Sequence, residues 1–229
     1  MSFRDRPSPN FDSRPDGAPI DMLVFHYTGM RTAKEALDRL TDPEAKVSAH
    51  YVVEEDGTVW RLVDEKARTW HAGISAWRGE TDINGRSVGI ELVNPGHEFG
   101  YRPFPGAQME ALIVLAKGVL ERHPIPPRNV VGHADVAPAR KMDPGELFDW
   151  PRLAAAGIGL WPADGQNAGA GGHAAELGGI GYDTADLAAA VTAFQRRFRP
   201  SSIDGEIDAE TGRLIGAVHR LAAGARQPD

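Results

Sequence analysis

The chain of 229 residues contains no cysteine. That excludes disulfides, thiolate metal sites, cysteine nucleophiles and a lipid-modified N-terminal cysteine. Long apolar runs are also missing. No stretch approaches the roughly 18 apolar residues of a membrane span. Residues 1–20 (MSFRDRPSPNFDSRPDGAPI) scatter charges and prolines where a signal peptide would carry its apolar core. The expected location is therefore cytoplasmic. Basic clusters are scarce: 25 Lys and Arg stand against 32 Asp and Glu, a net charge of −7. Nucleic acid is not an expected partner, because phosphate contacts need clustered cations. What is present is a 41% hydrophobic composition, enough for a packed core, in a length suited to one ordinary domain plus a small second one.

Met22 to Thr28 (MLVFHYT) reads as a strand, with Leu23, Phe25 and Tyr27 on one face and Val24, His26 and Thr28 on the other. Ala33, Ala36, Leu37 and Leu40 then recur at helical spacing. AHYVVE (49–54) and TVWRLV (58–63) flank Glu55-Asp56-Gly57 and read as a hairpin. SVGIELV (87–93) is a further strand, with Glu91 opposite Val88, Ile90 and Leu92. Gln108 to Arg122 reads as a buried helix stopped by His123-Pro124, and Asn129 to Gly132 as a short strand. The expected fold class is α/β, a mixed β-sheet flanked by helices. A Gly/Ala-rich linker at 162–174 separates residues 1–161 from a small C-terminal helical domain at 175–229. In that domain Leu187, Val191, Phe194 and Phe198 mark one helix face, and Leu214, Ile215, Val218 and Leu221 another. A unit of about fifty residues folds alone only marginally, so it is expected to lean on the first domain.

Chemistry-bearing residues concentrate in GHADVAPARKMDPG (132–145), a stretch whose Pro and Gly content argues against a helix. It offers His133, Asp135, Lys141 and Asp143, and a loop can bring a His and a carboxylate onto one metal. His26 interrupts an apolar strand, where an imidazole must find a partner or stay neutral. His26, His133 and Asp143 make a two-His, one-carboxylate set that leaves a tetrahedral position open, the arrangement of a catalytic zinc. Asp135 is a rival ligand on spacing alone. Glu91, a carboxylate on an otherwise apolar strand, needs either a cationic partner or a role as a general base.

The segments FHYTGM, VSAHYVVEEDGTVWRLV, TWHAGISAW, NGRSVGIELVN and VGHADVAPARKMDPG occur in this order. Together they resemble the type-2 zinc-dependent N-acetylmuramoyl-L-alanine amidases (AmpD/AmiD-like) over roughly residues 20–161. AVTAFQRRFRP and IDGEIDAETG, within 175–223, resemble the three-helix peptidoglycan-binding module.

The first resemblance implies Zn2+ held by His26, His133 and Asp143, with Glu91 as the catalytic glutamate and Lys141 stabilising the transition state. It also implies His71 and Asn94 near the substrate groove. His50 is expected to support packing, and His97, His123, His173 and His219 to lie at the surface. Where relatives often carry a tyrosine before the His50 position, this chain has Ala49, which leaves Glu91 as the base. The implied reaction is hydrolysis of the amide between N-acetylmuramic acid and L-alanine in peptidoglycan or muropeptides. Arg78, Arg86 and Arg140 are candidate cations for the groove. Relatives carrying the extra module are usually exported, which makes the periplasm the alternative location. The competing functions are a non-catalytic peptidoglycan receptor on the same fold and a phage-type endolysin.

Overall fold

The computed structural model describes residues 3–163 and 172–224. A six-stranded mixed sheet forms the centre, in the order β1-β5-β4-β7-β3-β8. Its strands are β1 (Arg4–Asp5), β3 (Met22–Tyr27), β4 (Tyr51–Val53), β5 (Val59–Arg61), β7 (Ser87–Leu92) and β8 (Val130–Gly132). Only the β4–β5 hairpin is antiparallel; the other neighbours run parallel. A second, two-stranded antiparallel ribbon pairs β2 (Phe11–Ser13) with β6 (Ala67–Thr69). The sequence reading had no strand at β1, β2 or β6. These are two or three residues long and carry charged side chains, so their pairing comes from tertiary contact and not from periodicity.

The period-2 pattern of β3 and β7 sorts the two faces as expected. Leu23, Phe25, Val88, Ile90 and Leu92 bury against helix α4 (Gly106–Arg122) through Leu112, Leu115 and Val119. α4 is amphipathic and not buried all round, since Val114 within its apolar run is 55% exposed. On the opposite face, helix α1 (Ala33–Thr41) packs Leu37 and Leu40 on Val52 and Val93. Thr32 caps α1 by accepting from the Glu35 N–H at 3.1 Å. Short turns of helix connect these layers: α2 (Ile83–Arg86), α3 (Gly96–Phe99), α5 (His133–Val136) and α6 (Trp150–Ala155). The α5 turn corrects the expectation of a helix-free segment at 132–145. It is one turn only, closed by the Asp135 carboxylate accepting from the Gly132 N–H at 2.8 Å.

Helices α7 (His173–Ile180), α8 (Leu187–Phe198) and α9 (Ala209–Gly224) complete the chain. Of the expected linker at 162–174, residues 164–171 lie outside the described residues, as do the last five residues of the segment 175–229. The C-terminal helices do lean on the first part. One apolar cluster joins Met22, Val24, Trp77, Val131 and Val136 to Leu177, Ile180, Phe194 and Phe198. The Arg78 guanidinium donates to the carbonyls of Gly179 and Ile180. Arg197 on α8 pairs with Asp135 at 2.8 Å, both buried, and lies 3.8 Å over the Trp150 ring. Breaking such a buried pair from one side costs about 3–5 kcal/mol.

Candidate metal centre and active site

His26 lies at the C-terminal end of β3, Glu91 opposite it on β7, and His133 directly after β8. Three adjacent parallel strands thus deliver these side chains to one edge of the sheet. Gly132 allows the last of them, since a Cβ there would sit 2.6 Å from Pro144 Cδ, beside Asp143. His26, His133 and Asp143 are buried, and their ligand atoms form one cluster. His26 Nδ1, His133 Nδ1 and Asp143 Oδ2 are each 3.0 Å from the other two. Ligand atoms of a tetrahedral zinc site with bonds of about 2.0 Å stand about 3.3 Å apart. The donors are already near the spacing an ion requires.

The surrounding hydrogen bonds decide which nitrogens carry hydrogen. Ser87 Oγ donates to the Ile83 carbonyl at 2.6 Å and therefore accepts from His71 Nε2 at 3.0 Å. His71 then turns a bare Nδ1 toward His26 and accepts from His26 Nε2 at 2.9 Å. His133 Nε2 donates to the Ala72 carbonyl at 3.0 Å. Both imidazoles consequently present a bare Nδ1 to the Asp143 carboxylate. Three lone pairs converge with no hydrogen between them, an arrangement that a cation stabilises and that the neutral chain alone does not. Burial, followed by the neighbouring His133, lowers the His26 pKa to about 4, in keeping with a neutral ring.

A cavity of about 380 Å³ opens over this trio, walled by Trp70, Arg39, Arg140, Lys141, Met142 and Glu91 among others. The Glu91 Oε2 atom is buried without a hydrogen-bond partner. Burial, then the Asp143 charge, raises its pKa well above the ordinary value, against the opposing pull of Lys141. A carboxylate so placed is primed to take up a proton. Lys141 is only partly buried and shares the wall with Glu91 and Asp143.

His71 lines the cavity and at the same time backs His26. Its position depends on Gly89, where a Cβ would fall 2.6 Å from the His71 ring. It depends also on Asn84, whose Oδ1 accepts from the backbone N–H groups of His71 and Ala72. Asn94 does not line the cavity. Its amide donates to the Arg102 carbonyl at 2.7 Å and accepts from the Gly96 N–H at 3.1 Å, which closes the loop after β7.

His50 is fully buried and packs as expected, accepting from the Gly89 N–H and donating to the Ala67 carbonyl. Asp135, the rival ligand, points away from the trio to Tyr182 and Arg197. Of the three arginines suggested for the groove, Arg140 lines it. Arg86 instead pairs with Asp21 beside the start of β3, and Arg78 is bound to α7 carbonyls. The four histidines expected at the surface are half-buried. His97 bonds Tyr27 and Glu146, His123 bonds Glu65, and His173 bonds Glu176. Trp70, Arg39 and Asn84 were not singled out from the sequence. Trp70 precedes His71 in TWHAG and Asn84 opens NGRS, so the signal for both is their place inside the motif segments.

Two imidazoles and a carboxylate around one point, with an unpartnered carboxylate and an ammonium on the adjoining wall, define a candidate mononuclear metal-dependent hydrolase centre. The family model described as N-acetylmuramoyl-L-alanine amidase matches residues 16–146, and the chain belongs to that family. AmiD of Escherichia coli is 42% identical over 230 residues, covering 87% of this chain and 82% of AmiD. AmpD of Haemophilus influenzae is 34% identical over 163 residues, 63% of this chain and 86% of its own. Among solved structures, the complex of E. coli AmiD with anhydro-N-acetylmuramic acid-L-Ala-D-γ-Glu-L-Lys superposes with a TM-score of 0.80 at 38% identity. That match covers 93% of this chain and 94% of AmiD. AmpDh3 from Pseudomonas aeruginosa gives 0.81 at 33% identity, over 90% and 94% of the two chains.

Proposed function

We propose that the protein hydrolyses the amide between the lactyl group of N-acetylmuramic acid and L-alanine, using one zinc ion held by His26, His133 and Asp143. The observation that carries this reading is the convergence of three lone pairs beside the unpartnered Glu91 oxygen. Two nitrogens and one carboxylate suit zinc better than magnesium or calcium. When bound, zinc supplies Lewis-acid polarisation of the carbonyl and a water acidified to a pKa of about 7. Glu91 accepts a proton from the attacking water and returns it to the departing amine, which leaves as a neutral group. The Lys141 ammonium faces the carbonyl oxygen and offsets the negative charge that grows there. Arg39 and Arg140 on the cavity wall suit the carboxylates of a stem peptide. His71 holds His26 and borders the groove, and Asn94 acts on the groove through the loop it closes. The segment 175–229, beyond the stretch 162–174, belongs to this reading as a peptidoglycan-binding-like unit, supported by its motif resemblance.

No helix among the described residues is long and apolar enough to cross a membrane. A cytoplasmic site of action, on soluble muropeptides, is the location we propose. The test is mass spectrometry of anhydromuramoyl-tripeptide and of purified sacculi after incubation. Free stem peptides should be released, release should stop with a chelator, and zinc should restore it. Intact substrate in the presence of zinc-loaded protein would overturn the assignment.

A further inference from the structure

Asp135 lies two residues beyond His133 and is directed at the C-terminal helices. Its Oδ2 accepts from the Gly132 N–H at 2.8 Å and from Arg197 Nη1 at 2.8 Å, while Oδ1 accepts from the Tyr182 hydroxyl at 2.6 Å. Asp135 and Tyr182 are less than 5% exposed and Arg197 is 7% exposed. The bond to Gly132 is the one that closes the turn on which His133 is carried. Arg197 is itself braced over the Trp150 ring, and Trp150 packs on Phe25, the neighbour of His26 in β3. Tyr182 stacks edge-on against Trp77 and Phe194, on both sides of the junction. Both side-chain partners of Asp135 therefore come from the segment beyond the Gly/Ala-rich stretch, and both act through it on the backbone that presents a proposed metal ligand.

We propose that Arg197 and Tyr182 are positioning residues of the metal centre: through the Asp135 carboxylate, the C-terminal helices hold the turn that aims His133 Nδ1 at His26 and Asp143. This role differs from wall binding, and it rests on the metal reading of the site. A carboxylate with one fewer donor is free to rotate away from the Gly132 N–H, and the His133 ring loses its fixed bearing. Outer hydrogen bonds that orient ligands are worth about 10–100-fold in metal affinity. One bond removed at this remove from the ligand corresponds to the lower end of that range.

The test uses the full chain, with zinc affinity by competition with a chromophoric chelator and the visible spectrum of the cobalt(II)-substituted protein. Thermal stability is recorded alongside. Tyr182→Phe removes a single hydrogen bond and should weaken zinc binding several-fold and alter the cobalt bands. Arg197→Met should weaken it about tenfold or more, and Arg197→Lys should recover part of the loss. If Arg197→Met does not fold, Tyr182→Phe and Arg197→Lys still decide. Variants with lowered melting temperature but wild-type zinc affinity and cobalt spectrum would overturn the proposal and leave the contact as packing only. A wild-type protein that binds no zinc would instead remove the metal reading itself.

Discussion

His26 and Glu91 occupy directly opposed positions on the parallel strands β3 and β7, so the proposed metal ligand and the proposed base are set by one register. Slipping one strand past the other by one residue would turn its side chain into the opposite face of the sheet and separate the pair. The apolar alternation of Leu23, Phe25, Val88, Ile90 and Leu92 holds the register, and the core thereby positions the chemistry.

Glu91→Gln should lower turnover by about 10²–10⁴-fold, the usual range for a lost general base. The side chain is not among the converging ligands, so zinc content by elemental analysis should be unchanged. Loss of the metal together with activity would move Glu91 into the ligand set.

Lys141→Met should reduce kcat by about 10²–10³-fold, as removal of one fixed oxyanion partner does. KM should change little. An effect confined to KM would assign Lys141 to ground-state binding of the substrate carboxylates.

Much of this site was legible in the sequence, for a physical reason. His26 and Glu91 break strong period-2 apolar strands, and a polar residue buried in such a run must have a function or a partner. Gly132 to Gly145 is distinctive because it packs ligand-type residues into a short segment. The β2–β6 ribbon was not legible, because Phe11–Ser13 and Ala67–Thr69 have no apolar alternation and pair only through tertiary contact. The destination of Asp135 was hidden for a related reason. Its partners, Tyr182 and Arg197, lie more than forty residues away, and no local pattern reports a contact at that distance. Asn94 sat beside the right strand, but its amide serves the loop backbone.

Gly89→Ala should disturb the centre without touching a ligand. The added Cβ would meet the His71 ring at 2.6–2.8 Å, well inside contact distance, and His71 is what holds His26 Nε2. The expected cost is about 1–3 kcal/mol of stability together with weaker zinc binding. Chemical denaturation and a zinc titration read the two effects; wild-type zinc affinity would mean His71 has room to yield.

Acid should destabilise the metal-free protein before its carboxylates titrate. Burial lowers the pKa of His26 and of His50 to about 4, and that of His71 well below 6.5. Between pH 6.5 and about 4 the unfolded chain binds protons that the folded chain refuses. The stabilisation is therefore present above pH 6.5 and is lost as pH falls toward 4. Glu91 acts in the other sense, since its raised pKa costs stability as pH rises above 4.5, but three imidazoles outweigh one carboxyl. The melting temperature should fall by on the order of 10 °C between pH 7 and pH 4.5. A flat profile would contradict neutral, buried rings.

The most direct measurement is anomalous diffraction at the zinc edge from crystals of the zinc-loaded protein. A single ion bonded to His26 Nδ1, His133 Nδ1 and Asp143, with Asp135 still on Arg197 and Tyr182, is the predicted result. An ion bound through the Nε2 atoms, an ion held by Asp135, or no ion between the three side chains would contradict it.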